Sequence, residues 1–376
     1  MARILEQDAG HRVMSPDAGI SAGPRVSSWN VESGTPRVET IEPSIAHGDE
    51  TVQGKVDIMT KLILDLDTGV DDTLAISYAL GSPEMDLIGI TGTYGNVLLE
   101  QGLRNDLAIT DLLGHPEVKV YPGLPHAMRK DAFSVGEISA FIHGHNGIGD
   151  VSIPDSNREP ETESAVDFII DAVKTYGKDL VYVPTGPMTN IAAALRKAPE
   201  IKDQIGRIVL MGGALTACGN VNAWSEANIS QDPDAADELF RSGAPATMVG
   251  LDVTLQTLLT YRQTQRWRDL GTKAGAFLAD MTDYYIKAYE TTAPKLGGCG
   301  LHDPLAVGVA VDPSLVTTLP INMKVDVEGP TRGRTIGDND RLNDPVKTMQ
   351  VAVGVDVDRF LHEFMTRITA VAQAAC

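Results

Sequence analysis

Short apolar runs alternate with segments of helical periodicity over the middle of the chain. Runs of four to seven residues, almost wholly apolar, are separated by segments in which apolar residues recur every three or four positions. Buried apolar strands joined by helices are typical of a parallel sheet with both faces covered. This pattern predicts an α/β fold with an open, mainly parallel sheet and helices on both faces. The predicted strands are 62–66, 85–91, 118–121, 180–183, 207–211 and 246–251, and the predicted helices between them are 71–80, 98–113, 164–175, 189–195 and 233–241.

The pattern changes after residue 251, where longer helical segments replace the regular alternation. Two apolar runs, 321–327 and 331–336, flank the turn signal Gly329-Pro330 and predict a hairpin at the edge of the sheet. The helices predicted in this part are 261–289, 303–311 and 355–374.

A glycine-rich segment, Gly297–Gly300, interrupts the helical region near 255–300, which we expect to rim a ligand pocket. Because glycine lowers the cost of large backbone changes, one interpretation of the segment is the hinge of a mobile lid. A helix C-cap followed by a turn explains the same residues equally well. Both interpretations stay open at this point.

The first 58 residues differ in composition from the rest of the chain. They contain four prolines and many glycine, serine and acidic residues, and they lack a sustained apolar period. A segment of this composition has too little apolar surface to form a core of its own. We therefore expect residues 1–58 to be a disordered or loosely attached tail and residues 59–376 to form a single folded domain.

Charge and cysteine content narrow the classes of function. The chain has 31 Lys and Arg against 51 Asp and Glu, a formal net charge of −20, so we expect neither nucleic-acid binding nor docking on an acidic membrane. No apolar run is long enough to predict a membrane span, and no basic segment followed by an apolar run predicts a secretory signal. Cys218, Cys299 and Cys376 lack CxxC spacing, and we interpret them as reduced thiols of a cytoplasmic protein.

Polar residues follow the predicted strands at the edge where parallel α/β sheets bind their ligands. Four aspartates lie within the eight residues from Asp65 to Asp72, and their mutual repulsion is costly unless they share a cation. Oxygen ligands without nearby cysteines or paired histidines favour Ca²⁺ or Mg²⁺ over zinc. The competing interpretation is helix capping by Asp71 and Asp72, and by Asp303 before Pro304.

Six sequence blocks, in order, resemble the inosine–uridine type nucleoside hydrolase family. They run from about Lys61 to the C-terminus, so the resemblance covers nearly the whole predicted domain. The aspartate cluster alone is moderately specific, whereas the six blocks together at these spacings are highly specific. The blocks are Asp65-x-Asp67-x-Gly69-x-Asp71-Asp72, Thr185-Gly-Pro-Met-Thr-Asn190-Ile-Ala, Met211-Gly-Gly, Gly219-Asn220…Glu226-x-Asn228, Leu251-Asp252-Val253-Thr254 and His302-Asp303-Pro304-Leu305-Ala306.

The resemblance implies a nucleoside hydrolase that breaks the N-glycosidic bond to give free base and ribose, in purine or pyrimidine nucleoside salvage. It implies one Ca²⁺ ion, held by the carboxylates of Asp67, Asp72 and Asp303 and by the backbone carbonyl of Thr185. Asp67 is the implied general base, which takes a proton from the Ca²⁺-bound water, and His302 is the implied proton donor to the leaving base. The implied ribose-binding residues are Asp71, Asn96, Met211 (through its backbone), Asn220, Glu226 and Asn228.

Two further features are implied by the same resemblance. The segment from Ile142 to Gly147 is similar to a family loop beside the base, which makes His143 a second candidate for protonating it. A plain surface loop is an equally good interpretation of His143 and His145. Family members are usually homodimers or homotetramers, and the sequence does not choose between these assemblies.

The sequence departs from the family pattern at three positions near the site. Thr68 stands where the family usually has proline, Ala227 where an aromatic residue often precedes the last ribose asparagine, and Trp224 where small residues are commoner. These differences leave the preferred nucleoside open, and room near the sugar at Ala227 suggests a substrate with a modified ribose as one hypothesis. For Asn220, Asn222 and Asn228, ordinary loop turns are the competing interpretation.

Two other classes of function compete with the hydrolase. A haloacid-dehalogenase-type phosphatase also places an Asp-x-Asp motif after an apolar strand, with Asp65 as nucleophile and Mg²⁺ as the metal, but the sequence lacks its later motifs and leaves His302 and Asp303 without a role. A non-enzymatic nucleoside or ribose binder on the same scaffold is the other class. Release of free base from a nucleoside separates all three.

Overall fold

The computed structural model describes residues 59–375. The prediction of a loosely attached tail at 1–58 lies outside the described residues, as does Cys376. In chain order, the strands are β1 (Thr60–Leu66), β2 (Met85–Gly92), β3 (Val120–Tyr121), β4 (Leu180–Pro184), β5 (Arg207–Met211), β6 (Ala246–Val249), β7 (Leu258–Leu259), β8 (Cys299–Gly300), β9 (Val316–Ile321), β10 (Met323–Val325), β11 (Thr335–Gly337) and β12 (Met349–Val355). The helices are α1 (Val70–Leu80), α2 (Leu99–Leu112), α3 (Glu137–His143), α4 (Ala165–Tyr176), α5 (Thr189–Lys197), α6 (Ile201–Gln204), α7 (Ala227–Gln231), α8 (Pro233–Ser242), α9 (Leu251–Thr254), α10 (Tyr261–Arg268), α11 (Lys273–Thr292), α12 (His302–Val311) and α13 (Val357–Ala374).

A mainly parallel sheet forms the centre of residues 59–375, as the alternating pattern predicts. Its strand order is β3-β2-β1-β4-β5-β6-β12-β9. Each neighbouring pair is parallel except the pair of β12 with the edge strand β9. The predicted fold class is therefore confirmed. In the same residues, no helix is both long and apolar enough to cross a membrane.

The central strand β1 shows why its sequence forms a doubly covered strand. Successive side chains of a strand point to opposite faces, and Leu62, Leu64 and Leu66 belong to one hydrophobic cluster while Ile63 belongs to the other. All four side chains are fully buried. Burial of each contributes roughly 1.5–3 kcal/mol of hydrophobic stabilisation. Helices on both faces therefore fix β1 in the middle of the sheet, and its carboxyl end brings Asp67 to the sheet edge.

The C-terminal part differs from the prediction in its sheet edge. The hairpin predicted over 321–327 and 331–336 is a separate two-stranded antiparallel sheet of β10 and β11, and the edge of the main sheet is β9. Strand β9 contains Pro320, which cannot donate a ladder hydrogen bond and therefore suits an edge strand. Its partner β12 was not predicted.

The long helix predicted over 261–289 is divided into α10 and α11. Gly271 adopts a left-handed conformation with φ of 69° between them, which favours glycine. The Thr272 hydroxyl then accepts a hydrogen bond from the Gly275 N–H and caps α11. The rest of the predicted region is helical, and α11 carries Tyr285 and Tyr289, whose contacts are described below with the site.

Candidate active site

Three neighbouring strands of the sheet bring predicted site residues to one edge. Asp67 follows β1, Thr185 follows β4, and Met211 ends β5, and these strands are adjacent and parallel. Parallel neighbouring strands place their carboxyl ends together, so residues far apart in sequence meet there. Helix α12 adds Asp303 from the C-terminal part and packs against α1.

Four aspartates are buried at this edge of the sheet. Asp67, Asp71, Asp72 and Asp303 are each at most 5% exposed. Ligand atoms of Asp71, Asp72 and Asp303 lie within 4.8 Å of one another. The Oδ1 atoms of Asp67 and Asp71 are buried without a hydrogen-bond partner in residues 59–375. Buried carboxylate oxygens without donors are costly, so the cluster has the composition and the unsatisfied acceptors of a cation site.

Burial and mutual repulsion raise the proton affinity of the cluster. Burial, followed by the charge of Asp71, raises the pKa of Asp72 to about 7. Burial is also the main cause that holds the pKa of Asp67 and of Asp303 well above the usual range, with neighbouring carboxylates adding to it. A bound cation favours the ionised forms and opposes these shifts.

Short hydrogen bonds orient the two aspartates nearest β1. The Asn96 backbone N–H donates to Asp67 Oδ2 at 2.7 Å, while Oδ1 of the same carboxylate stays unpaired. Asp72 accepts from the Gly69 N–H at 2.7 Å and from the Thr185 hydroxyl at 2.7 Å. Asp72 thus takes part in capping α1, so the capping interpretation and a role in the site coexist.

Asp303 does not cap its helix. It is the second residue of α12, and the N-cap of that helix is Leu301.

Asn228 and Glu226 lie close together after β5. The Asn228 side-chain amide donates to the Thr185 carbonyl at 2.6 Å and to the Met211 carbonyl at 3.3 Å. The Glu226 carboxylate accepts from the backbone N–H groups of Gly213, Asn228 and Ile229 and caps α7. The structure therefore brings Asn228, Thr185 and Met211 into direct contact, and Glu226 holds their loop.

Asn220 is placed differently from the other predicted ribose residues. It is exposed, and its side-chain oxygen accepts from the Ala227 N–H at 3.0 Å. Asn222 similarly accepts from the N–H groups of Trp224 and Ser225, as expected of a residue in a loop turn. Asn96, in contrast, donates its amide to Asp72 at 3.3 Å and lies inside the cluster.

A chain of hydrogen-bonding groups leads from Asp71 to His302. The Tyr285 hydroxyl donates to Asp71 Oδ2 at 3.2 Å and lies 3.5 Å from the Tyr289 hydroxyl. The Tyr289 hydroxyl is 2.6 Å from His302 Nε2, and the Thr254 hydroxyl is 2.7 Å from His302 Nδ1. Burial lowers the pKa of His302, so the ring is neutral at pH 7 and one of its nitrogens carries a proton.

His143 is buried beside Asp71 and is not part of an exposed loop. The Val70 N–H donates to His143 Nδ1 at 3.2 Å, and the ring lies 5.3 Å from that of Tyr285. Because Nδ1 accepts, a neutral His143 carries its proton on Nε2. Its Nδ1 lies 3.7 Å from Asp71 Oδ1. His145 donates only its backbone N–H, to Asp150, at the surface.

The tyrosines and Thr254 were missed as site residues from sequence. Tyr285 and Tyr289 are four residues apart and share one face of α11, a pattern that a packed helix shows equally often. Only the contact with Asp71, 214 positions away in the sequence, shows that this face lines the site. The glycine-rich segment contains β8, which pairs with β7, while α11 already ends at Thr292 with Ala293 as its C-cap.

Asp65, the nucleophile of the phosphatase alternative, is occupied by structural contacts. Its Oδ1 accepts from the Thr91 hydroxyl at 2.7 Å and from the Asn190 amide at 2.8 Å, and the residue is fully buried. These bonds link β2 and α5 to β1, while Asp65 Oδ2 is buried without a hydrogen-bond partner in residues 59–375.

Comparison with known proteins gives the same assignment. The family model described as inosine-uridine preferring nucleoside hydrolase matches residues 62–362. The chain is 37% identical over 303 residues to an inosine-uridine preferring nucleoside hydrolase of Leishmania major, with 80% of this chain and 94% of the relative covered. It is 34% identical over 301 residues to uridine nucleosidase 1 of Arabidopsis thaliana, with 80% and 87% covered.

Two solved structures share the fold. A purine-preferring ribonucleoside hydrolase from Gardnerella vaginalis has a TM-score of 0.83 and 84% identity, with 84% of this chain and 99% of that chain covered. A plant nucleoside hydrolase has a TM-score of 0.76 and 33% identity, with 83% and 99% covered. These matches define an enzyme class, the hydrolases of N-glycosidic bonds in nucleosides. The chain belongs to the inosine–uridine preferring nucleoside hydrolase family, and this assignment replaces the phosphatase and the non-enzymatic binder.

Proposed function

We propose that the aspartate cluster holds one Ca²⁺ ion and that Asp67 is the general base of nucleoside cleavage. The observation that carries the proposal is the burial of four carboxylates together, two of them with an unpaired oxygen. Within residues 59–375, no Lys or Arg side chain pairs with any of the four aspartates, and the His143 ring, 3.7 Å from Asp71, has its pKa lowered by burial. A hard divalent cation removes the repulsion, which is otherwise expressed as raised pKa values.

The donors fit calcium in kind because all are oxygens, and the four of them leave positions for water and sugar hydroxyls among the roughly six to eight that calcium takes. Asp67, Asp72 and Asp303 supply carboxylate oxygens, and the Thr185 carbonyl supplies a neutral one. The ligand atoms that lie within 4.8 Å of one another belong to Asp71, Asp72 and Asp303, and Asp67 is outside this group. We assign Asp71 to the ribose because its Oδ2 already accepts from Tyr285. We assign Asp67 to the ion because its Oδ1 is buried without a partner and the charge of Asp72 acts on it. When bound, Ca²⁺ supplies positive charge that acidifies water and holds sugar hydroxyls in a fixed orientation.

Asp67 has the geometry expected of a base. Its Oδ2 is fixed by the Asn96 N–H, and its Oδ1 is free to accept a proton from the attacking water. Loss of general-base action typically costs 10²–10⁴-fold in rate. Asp67→Asn keeps an oxygen in place but cannot accept this proton.

The ribose is held by groups around the same edge. Asp71 accepts from a sugar hydroxyl. The Asn228 amide reaches the Met211 carbonyl only at 3.3 Å, so a second sugar hydroxyl can take the place of this contact, accepting from the amide and donating to the carbonyl. Glu226 acts mainly by fixing the loop, because its carboxylate already accepts three backbone hydrogen bonds. Asn220 closes the loop at the surface through Ala227.

The leaving base receives its proton through Tyr289. Both nitrogens of His302 are engaged, Nε2 by the Tyr289 hydroxyl and Nδ1 by the Thr254 hydroxyl. The Tyr289 hydroxyl gives its proton to the departing base and takes one from Nε2 of a His302 imidazolium, so the imidazole ends the step neutral and takes its next proton from water. Because burial lowers the pKa of His302, the imidazolium is the minor form at pH 7. His143, with its proton on Nε2, is the second donor in the site, and Tyr289→Phe distinguishes the two.

The preferred substrates are purine ribonucleosides. The neighbour that is 84% identical is described as purine-preferring and as a ribonucleoside hydrolase. Relatives described as uridine nucleosidases or as pyrimidine-specific are only 32–35% identical. The higher identity supports purines with unmodified ribose over the modified sugar suggested by Ala227.

The wider context is also part of the proposal. The described cysteines Cys218 and Cys299 are free thiols, which agrees with a reducing cytoplasm and a role in nucleoside salvage. A homodimer or homotetramer and a dispensable segment 1–58 stay predictions of the sequence.

The test is a panel of nucleosides assayed by reducing-sugar release. The protein is stripped with EGTA and assayed on inosine, guanosine, adenosine, uridine and cytidine, with and without added Ca²⁺, and on p-nitrophenyl phosphate. We expect calcium to restore cleavage, purines to have the higher kcat/KM, and the phosphate ester to remain intact. Full activity without a metal, or a pyrimidine preference, contradicts the corresponding part of the proposal.

A further inference from the structure

Asp106 is a buried carboxylate for which the proposed mechanism has no role. It lies in α2 and is fully buried. Its Oδ1 accepts from the Thr68 hydroxyl at 2.5 Å, and its Oδ2 is buried without a partner. Burial holds its pKa well above the usual range, and the charges of Asp72 and Asp65 act in the same direction. Because its neighbours Leu103 and Leu107 belong to the core, an apolar side chain at 106 is the simpler choice for stability alone.

Thr68, the hydrogen-bond partner of Asp106, lies between two of the site aspartates. Thr68 lies between Asp67 and Gly69 in the turn that joins β1 to α1. The Gly69 N–H donates to Asp72, so the same turn orients aspartates on both sides of it. A shift at Thr68 therefore moves Asp67 and Asp72 relative to each other.

Helix α2 contacts both polar ends of Thr68. Asp106 binds the hydroxyl, and the Asn105 amide lies 3.5 Å from the Thr68 carbonyl while donating to the Asn146 carbonyl at 2.8 Å. The helix is itself fixed by its core residues. The 2.5 Å separation between the Thr68 hydroxyl and Asp106 Oδ1 is at the short end for a hydrogen bond between two oxygens, which suits a tether.

We propose that Asp106 is a positioning residue, which fixes the β1–α1 turn through Thr68 and so sets the geometry of Asp67 and Asp72. The inference rests on the proposed function, because it matters only if these aspartates bind calcium and activate water. Displacement of a reacting group by about 1 Å costs as much as 10²-fold in rate. The tether therefore affects catalysis without touching the substrate.

The experiment compares Thr68→Val, Asp106→Leu and the double variant with wild type, all as the full chain. Calorimetry gives the affinity of the calcium-free protein for Ca²⁺ alone, and steady-state assays give kcat and KM for inosine. Thr264→Val is the matched control, because the buried Thr264 hydroxyl donates to Asp283 at the same distance of 2.5 Å between α10 and α11. Thr68→Ser keeps the hydroxyl and serves as the conservative variant.

We expect each single variant to bind Ca²⁺ roughly tenfold more weakly and to lose roughly 10–10²-fold in kcat, with little change in KM. The double variant loses no more than either single one, because both remove the same contact. Thr68→Ser and Thr264→Val keep kcat and calcium affinity near wild type. If Thr68→Val does not fold, Thr68→Ala carries the same expectation.

The inference is overturned if Thr68→Val or its substitute folds and keeps wild-type kcat and calcium affinity, or if Thr264→Val loses both to the same extent. It is also overturned if the two single losses multiply in the double variant. Wild type that binds no calcium or cleaves no nucleoside contradicts the proposed function instead, so the two failures are distinguishable in one experiment.

Discussion

Calcium removal is expected to make the stability of the folded protein fall as the pH rises, through Asp72 together with Asp67 and Asp303. Burial and the charge of Asp71 raise the pKa of Asp72 from 3.8 to about 7 in the folded protein. In the unfolded chain the same carboxyl ionises near 3.8. Between these values the folded state binds more protons than the unfolded state, so the free energy of unfolding decreases with rising pH and the loss is complete above about pH 7.

The size of the effect follows from the two pKa values. The interval from 3.8 to about 7 corresponds to a loss of roughly 4 kcal/mol, at about 1.4 kcal/mol for each pH unit. This is a large part of the stability of about 5–15 kcal/mol that is typical of a folded protein. Asp67 and Asp303 are shifted in the same direction and add to it. For a chain of this size we expect the melting temperature to fall by roughly 5–10 °C.

Thermal unfolding in EGTA between pH 5 and pH 8 measures the upper part of this loss, roughly 3 of the 4 kcal/mol, because the interval from pH 5 to about 7 spans about two pH units. Saturating calcium is expected to flatten the curve, because it stabilises the ionised carboxylates. Asp72→Asn removes the ionisable carboxyl and should reduce the slope of melting temperature against pH. Asp86→Asn is the control: it changes a part-exposed aspartate paired with Lys61 and should leave this slope unchanged. A melting temperature that is constant or rises with pH in EGTA, or an unaltered slope in Asp72→Asn, refutes the reasoning.

Three further outcomes follow from the site and the chain organisation. Tyr289→Phe should lower kcat for inosine at least tenfold, because it removes the proton relay to the leaving base. The variant should cleave a riboside of p-nitrophenol at the wild-type rate, because p-nitrophenol departs without a proton. Equal losses on both substrates contradict the relay. Gly95→Ala should abolish inosine cleavage and weaken calcium binding, because a Cβ at this position overlaps Asp67 Oδ2. Gly136→Ala is the control, because a Cβ there meets no atom within 4 Å. Normal activity of Gly95→Ala counts against the assigned geometry. A chain beginning at Met59 should keep kcat/KM for inosine within about twofold, and folding without activity shows that the preceding residues contribute to the site.

The central strands could be predicted from sequence because each is apolar on both faces. Residues 62–64 of β1 and 208–211 of β5 are apolar and buried without interruption, and β5 has the bounds predicted for it. Strand β12 was missed because its Gly354 and exposed Val353 blur the pattern, and its place beside β6 depends on a long-range pairing. The edge strand β9 is half exposed and contains proline, so its run resembles a loop.

The site could be predicted only as far as its residues follow strands or lie in motif blocks. The positions of Asp67, Thr185 and Met211 follow from the rule that ligands bind at the carboxyl ends of parallel strands. The link from Asp71 to Tyr285 and the tether of Thr68 depend on how helices α11 and α2 pack. Helical periodicity shows that a face is buried but not which distant element it meets.

The central claim is that Asp67 is the base of a calcium-dependent nucleoside cleavage, and one set of assays tests it directly. Stripped wild type and Asp67→Asn are titrated with calcium, and reducing-sugar release from inosine gives kcat and KM for each. We expect calcium to restore wild-type cleavage and Asp67→Asn to keep a similar KM while its kcat is roughly 10²–10⁴-fold lower. Wild-type kcat in Asp67→Asn, or full cleavage by a wild-type protein shown by metal analysis to lack bound calcium, contradicts the claim.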